Sequence, residues 1–198
     1  MKKIIFLFLL LINYTLASDE KQILDKNQIF IGASIGGAKI SKFNKGEIDK
    51  PNSYIAFVWG VRGGYQFMPS SYIGLRTYLD YMMSIKPSGL KTIISSSLNL
   101  NLDLLVDILH IKENTFGFYG GIGFGYFQHA NVIRTTPEDK AFVLGYTGVL
   151  NFGLGAKIQN NSRIEIGTKI PFSQIKSIAN PNITYGDIYV LASYSYLF

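Results

Sequence analysis

From residue 28 onward, apolar and polar positions alternate with period two. Leu98, Leu100, Leu102, Leu104, Val106 and Ile108 fall on one parity, with Asn99, Asn101, Asp103, Leu105 and Asp107 between them. A helix would repeat its apolar positions every three or four residues; alternation over this length marks a two-faced strand. Ile55, Phe57, Trp59, Val61, Tyr65 and Phe67 repeat the pattern against Gly60, Arg62, Gly64 and Gln66. So do Phe116, Phe118, Ile122, Phe124 and Tyr126, and again Leu144, Tyr146, Leu150, Phe152, Leu154, Ala156 and Ile158. Eight segments follow the template, at 28–40, 54–67, 72–83, 92–108, 115–127, 142–158, 163–172 and 186–198.

The connections alternate in length. Those at 68–71, 110–114 and 159–162 are short, and those at 41–53, 84–91, 128–141 and 173–185 are longer. An even number of long strands joined this way predicts an all-β fold, an eight-stranded antiparallel transmembrane β-barrel with short periplasmic turns and long outer loops. The two faces support a lipid exterior. The continuous apolar face carries the large side chains, and the other face carries Gly, Ser, Asn and the mid-strand charges. A soluble up-and-down barrel holding a lipid inside would instead leave 98–108 as an exposed apolar stripe. Tyr65, Phe67, Phe116, Tyr196 and Phe198 gather toward the short turns, and Tyr81, Tyr126 and Tyr146 toward the long loops. That is the expected pair of interfacial girdles.

Composition narrows the function. Charged residues are 16% of the 198, against about 25% in soluble domains. Aromatics at 14% exclude a disordered chain. With no Cys, disulfides, a Cys-based zinc site and a Cys nucleophile are excluded; two His leave little for a His-built metal centre, and no cofactor is implied. The N-terminus reads as an address. Lys2 and Lys3 precede an apolar run at 4–12, and Thr15-Leu16-Ala17 supplies small residues for cleavage near Ala17. The run is too short to span a membrane as a helix. The expected organisation is therefore a signal peptide at 1–17, a periplasmic lead-in at 18–27 and the barrel at 28–198. Losing Lys2 and Lys3 lowers Lys+Arg from 19 to 17 against 13 acids, a mature net charge of +4. This mild, scattered balance does not suggest a nucleic-acid partner.

The last strand carries a family resemblance. It ends on Phe198, with Tyr196, Tyr194, Ala192, Val190 and Ile188 on the same face. This resembles the closing strand of Gram-negative outer-membrane proteins, in which a terminal aromatic is read by the barrel-assembly machinery. Tyr194, Tyr196 and Phe198 are the assembly-signal residues the resemblance implies. The whole mature chain is similar to the small eight-stranded outer-membrane barrel family of the OmpA-barrel type, here without a peptidoglycan-binding domain. The resemblance implies residence in the Gram-negative cell outer membrane as a monomer, with outer-membrane lipids and lipopolysaccharide as neighbours.

Candidate chemistry lies on the inner face. Parity turns Arg62, Arg76, Lys157, Arg163 and Lys169 inward, with Asp80, Asp103, Asp107, Glu165 and Asp187. Of the 20 Gly, 13 share that face. An eight-stranded barrel is just wide enough for side chains to fill. Long charged residues reaching over Gly would pair and plug it, because an unpaired charge there would be poorly solvated. Arg62 and Arg76 flank one short turn and need an acid between them, with Asp80 and Asp103 nearest in strand order. Lys157 and Glu165 flank another turn with a parity that permits pairing. The alternative is a small pore or a hydrophobic-ligand channel. A lipid A-modifying enzyme needs a His-Asp-Ser set at the rim. His110 falls in an expected turn and His129 at the start of an expected outer loop, where it could meet Asp139 and Ser173; no catalytic residue is assigned. Gly121, Gly123 and Gly125 lack the spacing of a phosphate-binding loop. The outer loops carry Lys42, Lys45, Lys50, Lys86, Lys91, Arg134, Lys140 and Lys176 against Glu47, Asp49, Glu138 and Asp139, a net +4 that could meet lipopolysaccharide phosphates.

Overall fold

The computed structural model describes residues 27–50, 53–88, 91–111, 113–133, 142–159, 161–176 and 182–198. The expected signal peptide, its cleavage site and the lead-in to residue 26 lie outside the described residues. Eight long strands form a meander: β1 (Gln28–Asn44), β3 (Tyr54–Phe67), β4 (Ile73–Ser88), β5 (Lys91–Ile111), β6 (Asn114–Ile133), β7 (Phe142–Ile158), β8 (Ser162–Pro171) and β10 (Ile183–Leu197). Two short ribbons, β2 (Glu47–Ile48) and β9 (Ile175–Lys176), sit against β1 and β10. Each long strand pairs antiparallel with the next. β1 and β10 then pair from Phe30↔Leu197 to Asn44↔Ile183, which closes the barrel. Closure satisfies the edge hydrogen bonds that a strand in hydrocarbon cannot leave open.

The alternation reads directly as inside and outside. Ile55, Phe57, Leu98, Leu100, Leu102, Phe118, Phe124, Leu154 and Ile166 project outward and are exposed, Leu154 to 69%. Such a wall in water would be a contiguous apolar patch far beyond the few hundred Å² a soluble monomer tolerates. The closing strand follows the same rule. Tyr194, Tyr196 and Phe198 face outward while Leu197 is buried, and the Phe198 N–H donates to the Ile29 carbonyl at 2.9 Å.

The strands run further toward the long connections than the pattern predicts. The expected loop at 84–91 is mostly ladder, because β4 reaches Ser88 and pairs with Lys91. Of the loop expected at 128–141, residues 128–133 belong to β6, and the rest lie outside the described residues. Within 41–53, β1 continues to Asn44 and turns at Lys45-Gly46 into β2; both turn residues have positive φ, 50° and 86°. That backbone fits the twist of a two-residue hairpin, and Gly46 adopts it without strain. The cause is shared. The strand tips carry Ser, Lys, Gln and Asn, which read as loop residues but form ladders equally well above the apolar band. At the other end, β5 runs to Ile111 and places His110 in a strand rather than the expected turn. A bulge between Asp107 and Leu109 inserts Ile108 there. It breaks strict alternation and puts Ile108 and Leu109 both outside.

Candidate functional site

The lumen gathers the chemistry. All ten charged residues with inward parity are buried. Glu165, on β8, is the hub. Its Oε1 accepts from Arg76 Nη1 at 2.6 Å and from Arg163 Nε at 2.9 Å, and its Oε2 lies 2.7 Å from Arg62 Nη2. Three guanidinium groups from β3, β4 and β8 therefore share one carboxylate. Each also has a second partner. Arg76 Nη2 donates to Asp103 Oδ2 at 2.8 Å, Arg163 Nη2 to Asp107 Oδ1 at 3.2 Å, and Arg62 to Ser195 Oγ through Nε and Nη2. Planar, permanently charged forks suit such multiple pairing. The Arg76 guanidinium also lies 5.0 Å from the Tyr78 ring centroid and 5.1 Å from that of Tyr119.

A second node sits beside this one. Lys169 Nζ lies 2.7 Å from Asp80 Oδ2 and donates to Asn101 Oδ1 and Asn151 Oδ1, both at 3.0 Å. Asp80 accepts from Asn99 and Asn101. Asn151 donates to Asp103 Oδ1 at 3.1 Å and so joins the two nodes. Small residues make the room. A Cβ at Gly121 would run into the Leu102 carbonyl and the Asp103 carboxylate, and one at Gly167 into the Tyr119 hydroxyl. Between Arg62, Tyr78, Asp80, Asn151 and Lys169 lies a cavity of about 20 Å³, room for one water.

Two expected pairings differ. Lys157 stands opposite Arg163 in the β7–β8 register, while Glu165 stands opposite Gly155. The acid shared by Arg62 and Arg76 is Glu165 from across the lumen; Asp103 meets Arg76, and Asp80 meets Lys169. Strand order cannot reveal partners that reach across a barrel. Asp187 stands apart from the other acids. Its Oδ2 lies 3.2 Å from His129 Nε2 and accepts from the Tyr189 hydroxyl at 2.8 Å. His129 is buried on β6, stacked on Tyr185 with ring centroids 4.6 Å apart, and is not a loop residue. Its suggested partner Asp139 lies outside the described residues, and Ser173 instead bonds Thr147. Ser95 is the cross-strand neighbour of His129. Ser95, His129 and Asp187 thus all lie buried in the lumen near its long-loop end. His110 faces outward near the short turns, with Nε2 2.9 Å from the Ser71 carbonyl.

Around His129 and Asp187 the lumen is apolar. Ala38, Ile40, Ala56, Val58, Met82, Phe127, Val149, Ile175 and Leu191 pack as one buried cluster with Tyr54, Tyr185 and Tyr189. Sequence reasoning passed over this cluster and over Tyr119. The signal existed: Tyr119 is the large residue at an inward position between Gly117 and Gly121.

The closed barrel, with an apolar outer wall and paired charges buried in its lumen, has relatives among known proteins. The sequence profile of Helicobacter outer membrane proteins matches residues 60–198, more than two thirds of the chain. The chain belongs to that family. Among curated proteins, none matches in sequence. Solved structures with similar folds include Neisserial surface protein A, with a TM-score of 0.56 and 12% identity, covering 86% of this chain and 97% of that one. Another is the attachment invasion locus protein of Yersinia pestis in complex with the heparin analogue sucrose octasulfate. Its TM-score is 0.51 at 15% identity, covering 86% of this chain and 99% of that one. At these identities the likeness shows the fold, an outer-membrane β-barrel. No group of three or more His, Cys, Asp or Glu among the described residues could hold a metal ion.

Proposed function

We propose that this outer-membrane barrel is a structural and surface-interaction protein, a closed wall element that holds its loops above the outer leaflet. The observation that carries the reading is the Glu165 hub, where three guanidinium groups converge on one carboxylate across the lumen. A pore needs a continuous water path, and side chains that bridge the lumen at several heights leave little room for one. A lipid A-modifying role would need its nucleophile where lipid can reach it. Ser95, His129 and Asp187 are all buried inside the wall.

Conductance in planar bilayers tests the reading. Wild-type protein should show no steady current, and Arg62→Ala with Arg76→Ala should open the lumen or weaken the fold. Large, stable, ion-selective currents from the wild type would overturn the closed-wall reading in favour of a pore.

A further inference from the structure

One charge breaks the rule of the wall. Among the described residues of the eight long strands, Lys39 is the charged side chain that faces outward, and its amine has no partner among the described residues. Its cross-strand neighbours are Ile55 on β3 and Ile188 on β10, both outward and exposed, Ile55 to 77%. A lysine flanked by isoleucines on a lipid-facing surface is expensive in mid-bilayer, about 2–4 kcal/mol, and nearly free at the interface.

The height of Lys39 decides between those cases. Ile29, on the same strand, accepts the Phe198 N–H and pairs with Tyr65, so it marks the aromatic girdle at the short-turn side. Lys39 lies ten residues further along β1. Ten residues of strand span about 33 Å. With a tilt of about 40°, that is about 25 Å along the membrane normal, the height of the apolar band. Lys39 therefore emerges where the outer hydrocarbon ends and headgroup phosphates begin. Phe43 and Ile48 pair just above it, and beyond them Lys45 and Lys50 alternate with Glu47 and Asp49, the last 3.6 Å from Lys42 Nζ, so Lys39 is the cation nearest the apolar wall on this strand. Ile55, Phe57, Ile188 and Val190 offer an exposed apolar surface on the two strands that flank it.

We propose that Lys39 and the surrounding β10–β1–β3 surface form a docking site for the phosphorylated disaccharide lipid of the outer leaflet, lipid A. The Lys39 ammonium contacts a glucosamine phosphate, and the acyl chains lie along the isoleucine and phenylalanine surface. A compact ammonium at the top of an apolar wall matches a phosphate carried directly above acyl chains. The site is independent of whether the lumen conducts.

Native mass spectrometry of the full folded barrel, offered defined lipids, tests this. Bisphosphorylated lipid A should be retained by the wild type and by Lys39→Arg. Retention by Lys39→Gln should fall by about tenfold, the loss of one charge-assisted contact. Lys86→Gln, whose ammonium lies over the Tyr54 ring inside the rim, should behave as wild type. Heat-modifiable gel mobility reports that each variant is folded. Equal retention by Lys39→Gln would overturn the site. Equal retention by the wild type of dephosphorylated lipid A would overturn the phosphate contact. Equal retention of phosphatidylglycerol would reduce the surface to a generic anionic-lipid contact and overturn lipid A as its occupant.

Discussion

The two halves of the lumen are lined by different chemistry. Toward the short turns, Arg62, Arg76, Asp103, Asp107, Arg163 and Glu165 form a directional network in which each charge needs a particular partner. Toward the long loops, Val58, Met82, Phe127, Val149 and Leu191 fill the same cylinder by shape alone, around one His129–Asp187 pair. A guanidinium cannot escape burial by releasing its proton. The inner half therefore depends on every acid being present. The outer half can repack or be re-filled with apolar groups at modest cost.

The largest effect should come from the hub. Glu165→Ala leaves Arg62, Arg76 and Arg163 buried with less than their complement of charge. Removing one partner of a buried ion pair costs about 3–5 kcal/mol. Urea unfolding from phospholipid vesicles should show a loss of that size. A loss under about 1 kcal/mol, the scale of a solvated surface pair, would mean that water reaches the network and would erase the contrast between the halves.

The wall provides the next comparison. Leu102 is exposed on the outer face, and its neighbour Asn101 is buried among Lys169, Asn151 and Asp80. Leu102→Arg should cost about 2–4 kcal/mol near mid-bilayer. Its penalty should shrink when the same variant is unfolded from a thinner bilayer. Asn101→Arg adds a cation beside Lys169, so its cost should not depend on bilayer thickness. Equal thickness dependence for both would break the assignment of faces.

A smaller loss is expected in the outer half. Val58 is fully buried in the apolar cluster. Val58→Ala removes two carbon groups, about 1.5–2 kcal/mol at the usual value per buried methylene. The same unfolding assay should show this with no new conductance, because the charge network below is untouched. Steady current from Val58→Ala would show that the apolar half, not the network, holds the lumen shut.

These contrasts also explain what the sequence could reveal. Alternation alone separates Leu98–Ile108 into two faces and turns Arg62, Arg76 and Glu165 to the same side. The period of a strand is two, and lipid and lumen could hardly differ more as solvents. Partner choice was not legible. Glu165 lies 89 residues from Arg76, and only the shear of the closed barrel brings them together. The apolar outer half was hidden for another reason. Val58, Met82 and Val149 are apolar at inward positions, so they carry no contrast with the outward residues beside them. His129 looked like a loop residue because Gln128 and Asn131 flank it. Strands that rise above the hydrocarbon can be polar on both faces.

The smallest expected effect is also the sharpest test of the contrast. His129 Nε2 and the Asp187 carboxylate lie 3.2 Å apart in an apolar cluster, with the Tyr189 hydroxyl donating to Asp187. Replacing both members of a buried pair by apolar groups of similar volume is often neutral or stabilising, because the desolvation cost of the charges disappears with their attraction. His129→Phe keeps a ring to stack on Tyr185, and Asp187→Leu fills the carboxylate's place. The double variant forfeits the Tyr189 hydrogen bond, about 1 kcal/mol. Its stability should therefore stay within about 1 kcal/mol of wild type. Asp187→Leu alone should be worse, since it strands His129. The hub allows no such exchange, because Glu165 answers three cations on three different residues and no single apolar substitution can discharge them all. A double variant as damaged as Glu165→Ala would mean that both halves are held by charge, and that the apolar cluster only surrounds a second network.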